Sequence, residues 1–465
     1  MVKNNIDKIL LAVIILILFI YKYSFLHLPY YWDEAWSYKP AVEEMVKHGP
    51  SLLPGSISVE NYKGHPLFFY FLSSLWLSIF PDNIFWSKLF AFAISSLTII
   101  YTYLLAKQIY NKQAGVISAL LLSVQVVFVA QSSLLLPEML LALLSLMSFY
   151  YYFKNKTWAF ILSSSFLLLT KETGFVALLV IYIYDFFTYS RRNSFNVVKY
   201  LKNSIVKYIP VLPLISFLIY QKVLFGWFFY PTHIAYINLS EFFDKFSSYF
   251  AYLFIYQGRN VIFFSTILVL IYILIKKIKI DLEKQILFLL FIVLYISFLS
   301  LNFYSTRYIL SAIPFFVIII SSIVLKAISN KILQIILLSV FVFSPAFYGF
   351  THLKDSDHNI GYENVITVQK KMVDYCEKEN LFNTEIATHF LMKIYMTDSL
   401  CGYLSSSQTF KISDKITAST KYVIVSSNEQ NDFLNQQLSK VNKEKVVEFT
   451  EKQASCTLFR IKVKD

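Results

Sequence analysis

Residues 9–34 read ILLAVIILILFIYKYSFLHLPYYWDE, an apolar run that closes on two neighbouring acids, Asp33 and Glu34. The run predicts a first membrane helix near 8–26, because a bilayer-crossing helix needs about 20 apolar residues. Residues 1–350 hold only 14 Asp and Glu. Two carboxylates side by side at a bilayer surface are costly to keep partly desolvated, so chemistry is expected there.

Working outward, the same texture repeats. The 465 residues are 57% hydrophobic, 18% aromatic and 15% charged, where a soluble protein carries about 25% charged residues. Apolar runs recur near 8–26, 84–107, 114–131, 134–153, 157–170, 173–189, 206–225, 251–275, 285–302, 308–326 and 332–350. They predict a polytopic α-helical membrane protein with about 11 transmembrane helices. The run 66–80 is read as a juxtamembrane helix on the outer face, since its aromatic side chains suit an interface. Counting it as a span would move most later Lys and Arg clusters outside. With that choice, 17 of the 27 basic residues in 1–350 fall on cytoplasmic segments. The expected location is the cell membrane, multi-pass, with a cytoplasmic amino terminus and an external tail. Lys3 and Lys8 precede the first run without a small-residue cleavage site after it, which predicts an uncleaved anchor.

The formal charge of +13 lies wholly in the membrane part: 351–465 hold 15 basic and 15 acidic residues. Cytoplasmic loops explain such an excess, and no nucleic-acid partner is implied. From residue 351 the patterning changes to a small extracytoplasmic α/β domain. Helices are expected at 362–379 and 432–441, short strands at 385–388 and 421–426, and a closing strand pair at 445–449 and 456–463. The boundaries are 1–350 for the membrane catalytic domain and 351–465 for the soluble domain. Cys376, Cys401 and Cys456 all lie in this tail, where one disulfide is open but no pair is chosen by sequence.

On this topology several polar residues share the outer leaflet: Asp33, Glu34, Glu138 after Pro137, Lys171-Glu172, Arg259, Arg307-Tyr308 and Lys88. Taken singly, each has an ordinary structural explanation. A lone Lys or Arg at a helix end is usually an interfacial anchor, and Glu138 suits the start of a helix. Their recurrence at one depth is what points to a site. Carboxylates beside several cations suit a phosphate-bearing lipid: Arg and Lys would hold the phosphate, an acid would take a proton from an attacking hydroxyl, and lipid tails would lie along aromatic helix faces. Asp33, Glu34 and Glu138 could also gather a divalent cation, but no His/Cys ligand spacing accompanies them, and no metal is expected.

Asp33-Glu34, Gly64-His65-Pro66-Leu67, Leu136-Pro137-Glu138, Thr170-Lys171 and Arg307 to Pro314 follow one another over residues 1–350. In that order they resemble the protein O-mannosyltransferases and lipid A aminoarabinose transferases, membrane GT-C glycosyltransferases that use polyprenyl-phosphate sugars. The resemblance implies that Asp33 is the catalytic base on the acceptor hydroxyl and that Glu34 orients the acceptor or Asp33. It implies that Lys171 and Arg307 bind the donor phosphate, with Lys88 and Arg259 assigned to the same role. His65 stands in the family's His-Pro motif, and Glu138 where a second acid, commonly Asp, is found. Tyr308 accompanies them as a substrate-side or supporting residue. The implied reaction is inverting transfer of a sugar to a hydroxyl of a protein, glycolipid or cell-wall glycan. A phosphate leaving group needs cations more than a proton, whereas a glycoside hydrolase needs two opposed carboxyls. The alternatives are a lipid-linked glycan flippase or transporter, which should carry charges at mid-membrane, a polysaccharide ligase, and a non-catalytic scaffold.

Overall fold

The structure, a computed structural model, describes residues 5–192, 197–279, 282–429 and 432–462; Lys3 lies outside them. Apolar helices Ile6–Lys22, Ile84–Ile109, Pro137–Phe153, Thr157–Thr170, Phe175–Arg192, Val211–Phe225, Glu283–Leu299, Ile313–Ala327 and Lys331–Thr351 follow the expected runs. Among the described residues, Ile84–Ile109, Glu172–Arg191 and Lys331–Thr351 are each long and apolar enough to cross a membrane. Their starts are set locally. Asn83, Asn111 and Asn330 accept from backbone N–H groups of the first turns of the helices they precede, and Pro137 opens its helix where no N–H is needed.

Helix faces turned away from the core are apolar: Ile17 is 62% exposed, Leu268 66% and Phe347 68%. Water would disfavour so much apolar surface, and lipid accepts it. Helix Phe68–Ile79, within the run read as a juxtamembrane helix, has 12 residues. At about 1.5 Å per residue it is too short for a hydrocarbon core of about 30 Å.

Two runs differ from the single helices expected. The run 251–275 is broken: Phe242–Phe254 and Arg259–Ile275 meet at 84°. Gly258, at φ +78, makes the corner, and a Cβ there would sit 2.6 Å from the Ser344 carbonyl oxygen. Only glycine takes both the left-handed backbone and the close approach without strain. The run 114–131 likewise divides into Lys112–Ser123 and Val126–Gln131.

The tail builds one mixed sheet from β1 (Ile386–Ala387), β2 (Ile412–Ser413), β3 (Tyr422–Ser426), β4 (Lys443–Glu451) and β5 (Ala454–Ile461), in the order β2-β1-β3-β5-β4. β1 is parallel to β2 and β3, and the rest is antiparallel. Helix Tyr362–Lys378 buries Tyr362, Val365, Ile366, Val368, Gln369, Met372, Val373 and Cys376, the stripe expected of an amphipathic helix. β2 and helix Phe390–Thr397 were not anticipated. All three cysteines are free and buried, so none of the candidate disulfides forms.

The sheet and the helical part share one continuous core. Tyr362 is wedged between them: Lys22 Nζ donates to its hydroxyl at 3.1 Å, Ser133 Oγ lies 3.3 Å away, and its ring stacks on Tyr31 at 5.5 Å. This junction lies directly behind the two acids of the opening motif.

Candidate active site

Tyr30 to Tyr38 carries the first acid, and its backbone is unusual. Trp32 sits at φ +49, a left-handed conformation that a bulky residue rarely adopts. Its N–H donates to the Tyr395 hydroxyl at 3.1 Å, and the Tyr30 N–H donates to the Cys401 carbonyl at 3.0 Å. Both partners come from the tail. Glu34–Tyr38 then forms one π-helical turn, a feature frequent at functional sites.

The two neighbouring acids diverge. Asp33 enters a cavity of about 1010 Å³. Its carboxylate pairs with Arg307 Nη2 and accepts from Trp36 Nε1 at 2.8 Å. Glu34 is fully buried on the other side. It accepts from Tyr31 N at 3.0 Å and Leu135 N at 2.6 Å, and meets Lys88 Nζ at 3.4 Å. Glu34 therefore fixes the loop that bears Asp33 and does not line the cavity. Of the two roles the resemblance implies for it, orienting the acceptor or orienting Asp33, these contacts fit the second, and they separate the three acids considered for a divalent cation. Among the described residues no group of three or more His, Cys, Asp or Glu is placed to hold a metal.

Arg307 is the hub. It begins the short 3-10 helix Thr306–Ser311 and is 5% exposed. Nη2 pairs with Asp33, Nη1 pairs with Asp357, and Nε lies 3.7 Å from Glu138 Oε1. Glu138, in the first turn of Pro137–Phe153, takes Lys171 Nζ at 3.2 Å. Lys171 in turn lies 4.3 Å from the Tyr308 ring centroid. Asp33, Glu138, Lys171, Arg307 and Tyr308 are thus brought together on one wall.

His65 stands on another wall of the same cavity. Its Nδ1 is 3.0 Å from Glu172 Oε2, and its ring lies 4.6 Å from that of His233. Burial and then the His65 ring push the His233 imidazole down to about 4, so it is neutral at physiological pH. Gly64, at φ +73, faces Trp227 and Tyr230, each 2.9 Å from where a Cβ would be. The Gly-His-Pro motif therefore packs directly on the chain at Trp227 and Tyr230.

Two of the expected phosphate ligands lie elsewhere. Lys88 is fully buried and spent on Glu34 and on the Pro29 carbonyl at 3.3 Å. Arg259 is also fully buried: Nη2 donates to the Tyr252 carbonyl at 2.5 Å, and Nη1 reaches Gln257 Oε1 at 3.2 Å and Gln125 Oε1 at 3.4 Å. It braces the broken helix at Gly258. Neither residue lines the cavity, so both are withdrawn from the phosphate site.

Sequence reasoning missed Asp357 and Lys63. Asp357 sits in Asp355-Ser356-Asp357-His358, directly after the last long apolar helix; that polar cluster was the available signal. Burial pushes its carboxyl up, but Arg307 and His358 outweigh burial and hold it at about 2. Lys63 adjoins Gly64-His65-Pro66, and its Nζ lies 3.3 Å from the Trp36 ring centroid. Burial lowers its ammonium to about 8 against the pull of Asp33.

Acids and cations thus gather in one cavity of a mostly helical chain whose outer helix faces are apolar. Residues 64–217 match the family model described as dolichyl-phosphate-mannose-protein mannosyltransferase. A comparison with curated proteins returns no match. Among solved structures the chain is similar to ArnT from Cupriavidus metallidurans, both in the apo state and bound to undecaprenyl phosphate. Each match has 12% identity, covers 98% of both chains and has a TM-score of 0.59. It is also similar to the apo oligosaccharyltransferase of Archaeoglobus fulgidus, at 11% identity over 91% of this chain and 70% of that one, with a TM-score of 0.53. The fold is therefore similar to that of these two proteins, and the family match covers the stretch that carries Gly64-His65-Pro66, Pro137-Glu138 and Thr170-Lys171.

Proposed function

We propose that this chain is an inverting glycosyltransferase. It moves a sugar from a polyprenyl-phosphate donor to an acceptor hydroxyl at the outer face of the membrane. Asp33 takes the acceptor proton as the hydroxyl attacks the anomeric carbon, and Arg307 and Lys171 stabilise the departing phosphate. Glu138 holds those two cations in place, and Tyr308 supports Lys171. The observation that carries this reading is the convergence of Asp33, Arg307, Lys171 and Glu138 on one wall of the large cavity. Undecaprenyl phosphate in the similar ArnT structure supports a lipid-phosphate donor.

The division into a membrane domain, 1–350, and a soluble domain, 351–465, belongs to the same proposal. So do about 11 transmembrane helices, a cytoplasmic amino terminus and an external tail. The acceptor class is a protein, glycolipid or cell-wall glycan.

The test uses the purified full chain and a panel of polyprenyl-phosphate sugars, with products read by mass spectrometry. The native chain should transfer one of them, and Asp33→Asn should lose about 10²-fold or more while eluting as a folded protein, the usual worth of a general base. Retention of about a tenth of the activity in Asp33→Asn would refute the base assignment.

A further inference from the structure

Each nitrogen of the Arg307 guanidinium faces a different carboxylate, and these three acids are not equally held. Asp33 has a second donor in Trp36 at 2.8 Å. Glu138 has a second cation in Lys171 at 3.2 Å. Asp357 has a weaker second contact: its other oxygen meets His358 Nδ1 at 3.6 Å, beyond ordinary hydrogen-bond reach. Its backbone is pinned, because the Asp357 carbonyl accepts from Gln131 Nε2 at 2.7 Å and the His358 carbonyl from Gln257 Nε2 at 3.0 Å. The main chain is thus fixed by other residues, and the carboxylate itself is held mainly by Arg307 Nη1. It lies on the cavity wall beside Asp355, Ser356 and His358.

Resting on the donor site proposed above, we infer that Asp357 is a stand-in anion. Its carboxylate occupies the face of Arg307 that the donor phosphate takes, so the donor binds by exchange. Asp357 and the donor phosphodiester each carry one negative charge, so that swap leaves the charge around Arg307 unchanged, whereas undecaprenyl phosphate, a monoester, brings up to one charge more and competes for the same fork. The guanidinium presents five N–H donors in a planar fork that matches either anion. Without the donor, Asp357 keeps the Nη1 side of the buried guanidinium from standing without an acceptor, which would be costly. With it, the carboxylate turns toward the open cavity. The exchange sets a specificity: an anion that pairs with the fork displaces Asp357, and a neutral polyprenol does not. Because burial is outweighed by Arg307 and His358, the carboxyl stays ionised through the working pH range and competes throughout it.

The experiment measures undecaprenyl phosphate affinity on the full chain in lipid nanodiscs. Asp357→Asn removes the competing charge and keeps the shape, and it should tighten binding about fivefold to tenfold, a change in Kd that equilibrium titration resolves. Asp357→Glu keeps the charge and should stay within about twofold of the native chain. A residue that merely positions Arg307 predicts the opposite sign, so unchanged or weaker binding by Asp357→Asn overturns the inference. Arg307→Ala separates this from the parent proposal. If it binds as tightly as the native chain, the phosphate site itself is wrong. If it loses binding while Asp357→Asn does not tighten it, only the exchange fails. A further measurement needs no variant: amide exchange over 352–361 of the native chain should change on adding undecaprenyl phosphate and not on adding the neutral polyprenol. Equal responses to both overturn the inference.

Discussion

Replacing Arg307 by Gln removes the one cation shared by Asp33, Asp357 and Glu138. Removing one partner of a buried ion pair costs about 3–5 kcal/mol, because the other charge is left uncompensated. Asp33 keeps Trp36 and Glu138 keeps Lys171, so the loss should concentrate on Asp357. In the native chain its carboxyl titrates at about 2 against an ordinary 3.8. A group depressed on folding contributes stability above its unfolded value and loses it as pH falls through the folded one. That depression corresponds to about 2 kcal/mol at neutral pH, lost between about pH 4 and pH 2. In Arg307→Gln the same carboxyl is buried without its cation and gains from protonation instead. The stability gap between native and variant chains should therefore be widest near neutral pH and narrow as the pH is lowered toward about 4. Adding Asp357→Asn to Arg307→Gln should restore about 1–3 kcal/mol, since the unpaired charge is gone. Thermal unfolding of all four chains in one detergent, at two pH values, closes the double-mutant cycle. Additivity within about 0.5 kcal/mol, together with a gap that does not change with pH, would refute the hub.

Other outcomes follow from the same contacts. Lys171→Ala should raise donor KM far more than it lowers kcat, read from initial rates against donor concentration; an unchanged KM would remove Lys171 from the phosphate site. Lys88→Met should cost about 3–5 kcal/mol by stranding buried Glu34, yet leave donor KM within threefold in the folded fraction; a larger change would return Lys88 to the donor site. Tyr395→Phe leaves the Trp32 N–H without its acceptor, at about 1–3 kcal/mol. Because that N–H holds the turn carrying Asp33, kcat should fall several-fold with donor KM unmoved, and full retention of kcat would show that the tail does not position the base.

Much of this was legible because apolar runs and capping residues act locally. The helices after Asn83, Asn111, Pro137 and Asn330 begin where those residues stop an extended chain and accept or release an N–H. The amphipathic stripe at 362–378 and the closing strand pair were readable for the same reason. The corner at Gly258 was not, because its cause is the Ser344 carbonyl 86 residues away. Cations near helix ends draw notice by type alone, which is why Lys171 and Arg307 stand out in the sequence, and the structure brings them onto one cavity. The same rule drew in Lys88 and Arg259, whose partners, Glu34 and the Tyr252 and Gln257 oxygens, were set by packing that composition does not record. Asp357 was harder to single out for a converse reason: it lies in a segment balanced in charge, where only its clustering with Asp355, Ser356 and His358 marks it.

Adjacency misled most at the opening motif. Successive side chains on a helical turn point roughly 100° apart, so neighbouring acids need not share a cavity, and here Asp33 faces it while Glu34 turns to Leu135 N and Lys88. The left-handed Trp32 decides which of them does. Such a backbone costs on the order of 1–3 kcal/mol and persists only when its surroundings over-determine it. Here the surroundings are Tyr395 and Cys401 from the tail and Leu135 and Lys88 through Glu34. The second acid is thus consumed in holding the first. The polar tail supplies two pieces the helices lack: a hydroxyl that fixes the turn bearing Asp33 and a carboxylate that occupies Arg307. A chain trimmed after its last long apolar helix would keep the cations of the cavity wall and lose control of both the base and the anion site. Its failure should then appear in kcat and donor affinity together, whereas loss of an acceptor-binding accessory domain would leave donor affinity untouched.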